Sequence, residues 1–466
     1  MEEKIFLYYT NDLHSHFENL PQIIGHFKEE AEVRERNGQS YWLIDIGDHV
    51  DRSHPITEAM KGKANVELLN DAGYQLATLG NNEGITLNHE DLFHLYDQAD
   101  FQLVCANLSS LDGLEPGWLK PVSFATSVNG VKIGFIGLTA PFNDFYNLLG
   151  WNVGNPFSIL EQHLPDLAAQ ADIVVLLSHL GITDDEEIAR RFPEIDVIIG
   201  GHTHHLFRDG EYINETLLTA AGKHGKFVGE VILTWDHEQR KLVQKEAYAS
   251  STDNFPKDLQ TEQKLLAYQE KSDDLLGETV ITLREPLEFG WFKETFIMKK
   301  LVETLKEWTD ADCAMLNAGL LLDRFEKGAV TYGDIHRICP HPINPCLVKL
   351  KGDELLEVIR ASFTKQFTEL KLKGFGFRGE IIGRMVFSGA TMTTSKLPDG
   401  QERVEQVEIN GSPLDMNKQY KVATADTFTF GRLLPEVAKA EYKQFFMPEF
   451  LRDLLADTLR EKVAAR

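Results

Sequence analysis

Five short polar clusters carry side chains able to hold metal ions, and each closes an apolar run. Asp12-Leu13-His14 follows IFLYYT, Gly47-Asp48 follows YWLIDI, and Gly80-Asn81-Asn82-Glu83 follows YQLATL. Ser178-His179 follows DIVVLL, and Gly201-His202-Thr203-His204 follows DVIIG. Carboxylate, amide and imidazole donors in this mixture suit a pair of divalent ions drawn from Mn, Zn, Fe, Co or Mg, and no cysteine falls in the set. Two such ions imply hydrolysis of a phosphate ester or anhydride. Taken singly, each cluster is ordinary: Asp-x-His is a turn or helix cap, and Gly-Asp and Gly-Asn are turn pairs. A lone His179 would be a hydrogen-bonded core histidine. Jointly they stand at the C-terminal ends of predicted strands, where ligands of open α/β sheets collect.

The elements that must position them alternate. FLYY, WLIDI, LATL, FQLVCAN, KIGFIGL, IVVLLSHL and VIIGGH read as strands, with LPQIIGHFKEEAEVRER, ITEAMKGKANVELLNDAG and ITDDEEIARRF as helices between them. Near-continuous apolar strands in this alternation predict a layered α/β domain. FVGEVILTWD and LVQKEAYAS read as a closing hairpin. The boundaries expected are 1–255 for the first domain, a charged linker helix over 256–277, and a smaller α+β domain over 278–466. In the last, CAMLN, CLVKLK, MVFSGATMTTS, RVEQVEIN and YKVATAD read as strands.

A formal net charge of -25 argues against a nucleic-acid polymer or an anionic membrane as partner. A nucleotide-sized substrate is compatible, because metal charge acts locally while distant acidic surface is screened. No run of about 18 apolar residues occurs, which excludes an ordinary membrane-spanning helix. MEEKIFLYYTND has no basic region or apolar stretch of a secretory signal. Cys105, Cys313, Cys339 and Cys346 are few and scattered, as for unpaired thiols in a reducing compartment. A cytoplasmic protein, monomeric or weakly oligomeric, is expected.

The order D-x-H, G-D, G-N, S-H, G-H-x-H resembles the calcineurin-like metallophosphoesterases. TNDLHSH and GGHTHH followed by a second domain resemble, more narrowly, the bacterial 5′-nucleotidase family, with weaker matches at LNAG, FSGATMT and YKVATAD. The resemblance implies a four-layer β-sandwich flanked by helices, with a smaller C-terminal domain that binds substrate. It implies one metal held by Asp12, His14 and His204, a second held by Asn81, His179 and His202, and Asp48 bridging them. The activity implied is hydrolysis of a nucleotide-like small phosphorylated molecule, as a 5′-nucleotidase, a nucleotide-sugar or nucleotide-anhydride hydrolase, or a cyclic phosphodiesterase.

The chain departs from that family in its third cluster. The family writes G-N-H-E or G-N-H-D, with an aspartate two or three residues beyond the histidine, and that histidine assists the leaving group. Here Asn82 replaces it and Glu83-Gly84-Ile85 follows. An amide donates a hydrogen bond but cannot transfer a proton. Candidate substitutes are His49, Arg52, His54 and His205; Arg52 stands in GDHVDR, which resembles the GDxVDR of serine/threonine phosphatases, where the arginine binds phosphate. An ordinary surface ion pair is the competing reading of Arg52. Without a proton donor, a phosphate leaves far more readily than a ribose alkoxide, so anhydrides or activated aryl esters are expected to outrun nucleoside monophosphates. In the second domain, Asn317-Ala318-Gly319 lacks the arginine the family places just after it, Arg324 coming later. Phe375, Phe377 and Arg378 in the glycine-rich FGFRG are candidate substrate contacts, whereas Thr427-Phe428-Thr429-Phe430 alternates like a buried strand. A phosphatase of a non-nucleotide phosphate, and a paralogue that binds a phosphometabolite without turnover, are the alternatives.

Overall fold

The computed structural model describes residues 1–464 apart from 373, 375, 397, 399–401 and 432. The chain divides into two compact units, Met1–Ser272 and Asp273–Arg466. In the first unit the expected alternation builds two sheets. One has seven strands in the order Lys241–Ser251, Phe227–Asp236, Glu2–Thr10, Ser40–Asp45, Leu76–Ala77, Gln102–Val104 and Leu119–Lys120. From Glu2–Thr10 onward its neighbours are parallel. The other has six strands in the order Glu211–Ile213, Thr216–Thr219, Val197–Gly200, Ile173–His179, Lys132–Thr139 and Val122–Thr126, parallel through its middle.

The sheets face each other across one core. Ile5, Leu7, Tyr9 and Ile44 share it with Ile133, Phe135, Val175, Leu177 and Ile199. On its other side the second sheet turns Val174, Leu176 and Ile198 into a core with Leu160, Leu164 and Leu167 of helix Pro156–Gln170 and Ile188 of helix Ile182–Arg191. Burial on both faces is why Ile173–His179 reads as an unbroken apolar run. Helix Leu20–Arg36 covers the first sheet, setting Phe27 against Tyr8 and Tyr74 at ring separations of 6.1 and 5.9 Å. The layers are therefore helix, sheet, sheet, helix.

Several local expectations change. ITEAMKGKANVELLNDAG is two helices, Pro55–Met60 and Lys63–Ala72, because Lys61 and Gly62 take left-handed φ of 50° and 81°. LATL shrinks to the two-residue strand Leu76–Ala77. Helix Pro156–Gln170 contains Pro165, an internal residue that ordinarily argues against a helix, and Asn155 caps it by accepting from Phe157 N and Ser158 N. The charged helix Leu259–Leu275 is not a free strut. Lys264 and Tyr268 bond Asp71 and Glu67 on helix Lys63–Ala72, and Thr261, Tyr268 and Ser272 are buried.

The second unit holds a five-stranded sheet in the order Met385–Ser388, Cys313–Asn317, Gln419–Ala425, Pro345–Lys351 and Lys443–Phe445. Helices Phe296–Trp308, Gly352–Ser362 and Leu451–Thr458 supply Leu301, Val358 and Leu455 to its core. Residues Asp426–Thr429 form a 3-10 turn, not a strand, although Phe428 is buried in the core as its apolar character suggests. All four cysteines are buried free thiols. Among the described residues, no helix is long and apolar enough to cross a membrane.

Beneath the second sheet, Asp185 is buried and accepts from Ser178 Oγ, and burial lifts its pKa from 3.8 to about 8. The folded protein thus holds this proton more tightly than the unfolded chain does. Its contribution to stability is lost as pH rises from the unfolded value through about 8. Asp185→Asn removes the titration and keeps an acceptor for Ser178. Thermal unfolding should show the stability of the variant's first unit relative to wild type rising from pH 5 to pH 8; an equal offset at both pH values would contradict this assignment.

Candidate metal centre

The parallel strands of both sheets deliver their C-terminal loops to one place. Glu2–Thr10 runs into Asp12 and His14, Ser40–Asp45 into Asp48, and Leu76–Ala77 into Asn81. From the second sheet, Ile173–His179 ends on His179, and Val197–Gly200 runs into His202 and His204. Backbone bonds join the loops: Asp12 N donates to Gly47 O at 3.0 Å, His14 N to Asp48 O at 2.8 Å, and Gly201 N to Ser178 O at 2.9 Å. Asp12, His14, Asp48, His202 and His204 take left-handed φ of 51°, 51°, 50°, 68° and 58°. A side chain in that region costs about 1–3 kcal/mol, strain that persists only where the surroundings over-determine it. Gly80 is required here because a Cβ on it would overlap Asp48 N and Oδ1.

These loops bring the side chains together in two overlapping groups, Asp12 with His14 and His204, and Asp12 with Asp48 and His179, each with donor atoms within 4.8 Å of one another. His14 Nε2 lies 3.2 Å from His204 Nε2, 3.8 Å from Asp12 Oδ1 and 3.6 Å from Asp48 Oδ2. His179 Nε2 lies 3.3 Å from Asp48 Oδ1 and 3.9 Å from Asp12 Oδ1. The His202 ring stands 5.4 Å from that of His179. The donor set fits divalent cations. His179 Nε2 and Asn81 Oδ1 are buried without a hydrogen-bond partner in the protein, a costly state for polar atoms unless a ligand completes it.

Charge is strongly coupled in this cluster. Burial drives the Asp48 carboxyl upward, but His179 and His14 outweigh it and hold it well below the usual carboxylate range. Burial likewise pulls His179 down, and Asp48 and Asp12 more than reverse it, raising its pKa to about 10. For His202 burial prevails, with His179 adding to it, and the pKa falls to about 4.

A supporting ring of residues was not singled out from the sequence. Asn11 Nδ2 donates to Asp12 Oδ2 at 2.7 Å, and His202 N reaches both Asp12 oxygens at 3.1 and 3.0 Å. Glu83, fully buried, accepts from Asp48 N, Val50 N and Gly80 N at 3.1, 2.8 and 3.0 Å. Its role is therefore to fold the loops. His179 Nδ1 donates to Ile46 O at 2.6 Å, so Nε2 is the nitrogen that would give up its proton to present a lone pair to a cation. Asp51, in GDHVDR, lies 3.4 Å from His14 Nδ1. Adjacency to the ligand motifs was the one signal for Asn11 and Asp51.

Asn82 begins helix Asn81–Thr86, where its N–H donates to Asp48 Oδ1 at 2.7 Å and its side-chain amide lies 2.9 Å from His14 Nδ1. Gly84 in the same helix faces buried Tyr146, and a Cβ there would overlap the phenol oxygen and ring. Arg52 forms a two-point ion pair with Glu58 at 2.7 and 3.0 Å and donates to Thr86 O at 2.8 Å. Its guanidinium is thus engaged within the fold, the ion-pair reading of the sequence. His49 is buried beside Asn65 at 3.2 Å, and burial lowers its pKa to about 3. His54 accepts from Ile56 N at a helix start, and His205 pairs with Thr203 Oγ1 at 2.9 Å.

In the second unit, the candidate segment Asn317–Gly319 is bonded to Ile382, just beyond the FGFRG loop. Asn317 Nδ2 and Gly319 N both donate to Ile382 O at 2.9 Å, and Asn317 and Gly319 are buried. Phe377 is 3% exposed and stacks on His341 at 5.0 Å, so it is enclosed by its own fold. His341 donates from Nε2 to Leu320 O and accepts at Nδ1 from Arg378 N, both at 2.9 Å. Arg378 remains partly exposed; Phe375 lies outside the described residues.

Buried carboxylates and imidazoles gather at the strand ends of a helix-flanked double sheet, a candidate metal centre on an α/β scaffold. Residues 7–206 match the calcineurin-like phosphoesterase family, and residues 281–432 match the 5′-nucleotidase C-terminal domain. The chain is 43% identical over 457 residues to the uncharacterized metallophosphoesterase YunD of Bacillus subtilis, covering 98% of this chain and 99% of that one. It belongs to the calcineurin-like metallophosphoesterases of the 5′-nucleotidase family, a family of hydrolases. The same fold occurs in a putative 5′-nucleotidase from Staphylococcus aureus, with a TM-score of 0.71, 20% identity, and coverage of 98% of this chain and 97% of that one. It occurs also in the NAD nucleotidase of Haemophilus influenzae, with a TM-score of 0.69, 16% identity, and coverage of 99% and 97%.

The packing of Tyr146 against Gly84 has a direct test. Gly84→Ala should destabilise the first unit by about 1–3 kcal/mol through overpacking, measured by denaturant unfolding. Tyr146→Leu in the same chain should recover part of that loss; strict additivity of the two changes would show that they do not touch.

Proposed function

We propose that the protein is a dinuclear-metal-dependent phosphohydrolase of nucleotide-like small molecules. Asp12, His14 and His204 would hold one divalent ion, Asn81, His179 and His202 the other, and Asp48 would bridge them. The observation that carries this reading is the convergence of Asp12, Asp48, His14, His179 and His204 in two overlapping groups with donor atoms within 4.8 Å of one another, together with Asn81 Oδ1, buried without a hydrogen-bond partner. Divalent ions in such a centre acidify water and neutralise charge on phosphate oxygens. The chain's own part is to fix the donors: Ile46 O sets the His179 tautomer, and Asn11 and His202 N orient Asp12. The 5′-nucleotidase C-terminal domain supports a nucleotide as the organic part, with Arg378 as the partly exposed cation of the candidate loop.

The leaving group is the finer point. Asn82 holds no transferable proton, and the imidazole of His49 is buried and neutral. Arg52 carries charge without a proton to give, and it is paired with Glu58. Substrates whose leaving group is already a weak base, such as nucleoside diphosphates, nucleotide sugars and aryl phosphates, should therefore be preferred. Loss of one preorganised donor is worth roughly 10²–10³ in rate, which sets the expected gap from nucleoside monophosphates. The same Asn82 favours a second reading, a phosphometabolite-binding paralogue without turnover.

Phosphate release separates the two. After chelation, Mn, Zn, Co or Mg should restore hydrolysis, with ADP and aryl phosphate well ahead of AMP, and Asp48→Asn should abolish it. Equal rates on AMP and ADP would refute the leaving-group argument. Metal binding without release from any substrate would establish the binder.

A further inference from the structure

Two imidazoles of the centre are held from behind in different ways. His179 is oriented by a backbone carbonyl, Ile46 O, at 2.6 Å. His14 turns Nε2 toward Asp12, Asp48 and His204, so the opposite nitrogen, Nδ1, is the one that must be held. Among the described residues, no carbonyl bonds it. It faces instead two side chains, Asp51 with Oδ2 at 3.4 Å and Asn82 with Nδ2 at 2.9 Å, the Asn82 oxygen lying 3.4 Å from Asn81 Nδ2.

Both partners are rigidly placed. Asp51 is buried; its N–H donates to Ser15 Oγ at 2.8 Å, and its Oδ1 accepts from Ser53 N at 2.8 Å. Asn82 is pinned by its N–H on Asp48 Oδ1 at 2.7 Å and by Thr86 Oγ1 on its carbonyl at 2.6 Å. A histidine that binds a cation through Nε2 must carry its hydrogen on Nδ1, and it needs an acceptor there. Asp51 is one. The Asn82 amide is the second once its oxygen faces the ring, a half-turn about the terminal bond that keeps the amide's outline. The opposite orientation, with Nδ2 toward Nδ1, suits the other imidazole tautomer.

We propose that Asn82 and Asp51 are positioning residues that together fix the tautomer and ring angle of His14. The third cluster has then not simply lost a histidine: position 82 acts through a metal ligand. This rests on the reading of His14 as a ligand, and it goes beyond it by assigning the groups that orient the ligand.

Cobalt binding by the full-length protein tests the proposal without reference to turnover. Co²⁺ affinity and visible absorption are measured by chelator competition for wild type, Asn82→Leu, Asn82→Asp and Asp51→Leu. Asn82→Leu, close in size but without an acceptor, should weaken one of two Co²⁺ sites by roughly 10–100-fold, the usual effect of removing a ligand's outer partner, and leave the other unchanged. Asn82→Asp, which keeps an acceptor, should bind at least as tightly as wild type, and Asp51→Leu should weaken the same site as Asn82→Leu. Wild-type affinity within twofold in both Asn82→Leu and Asp51→Leu would overturn the proposal while leaving the metal centre intact. Equal weakening by Asn82→Leu and Asn82→Asp would also overturn it, since a merely structural role is not rescued by an acceptor. Failure of wild type to bind Co²⁺ would instead remove the reading of His14 as a ligand, and the proposal with it.

Discussion

Asp12 and Asp48 are carboxylates held out of water beside one another, and most of the first unit is arranged around that constraint. Two like charges in a low-dielectric interior repel strongly, and each also forfeits its hydration. The compensation comes from several directions: imidazoles of His14, His179 and His204, backbone N–H groups of His202 and Asn82, and the amide of Asn11. No single strand end offers so many donors. Bringing the C-terminal ends of parallel strands from two facing sheets to one rim does, and the left-handed turns at five of the seven residues are what bend each loop inward.

That geometry explains what could be read from the sequence. The clustering of Asp12, His14, Asp48, His179 and His204 was legible because each follows an apolar run, and strand ends are where an open sheet exposes polar groups. Helix Leu20–Arg36 was legible for the same kind of reason, a clear apolar stripe ended by charged residues. Helix Pro156–Gln170 was not, because Pro165 masks it, and the break at Lys61 and Gly62 is a backbone event without a hydrophobic signature.

The supporting residues were harder still. Glu83 looks like any acidic residue near a metal motif, yet its carboxylate is filled by three backbone N–H groups. Arg52 looks like a phosphate ligand until Glu58, six residues on, is brought round by a turn to meet it. Phe377 looks like an aromatic platform, but His341, distant in sequence, covers it. In each case residue type was informative and the partner was not, because the partner is chosen by tertiary packing.

Tyr146 sets a local limit on the third cluster. Its ring fills the space beside Gly84, two residues after Asn82, so any side chain added at position 84 meets the phenol first. A carboxylate placed there to support a new group at position 82 would therefore need a smaller residue at position 146 as well. Two positions far apart in sequence are bound into one choice, and the chemistry open to the loop is set in part by a packing contact behind it.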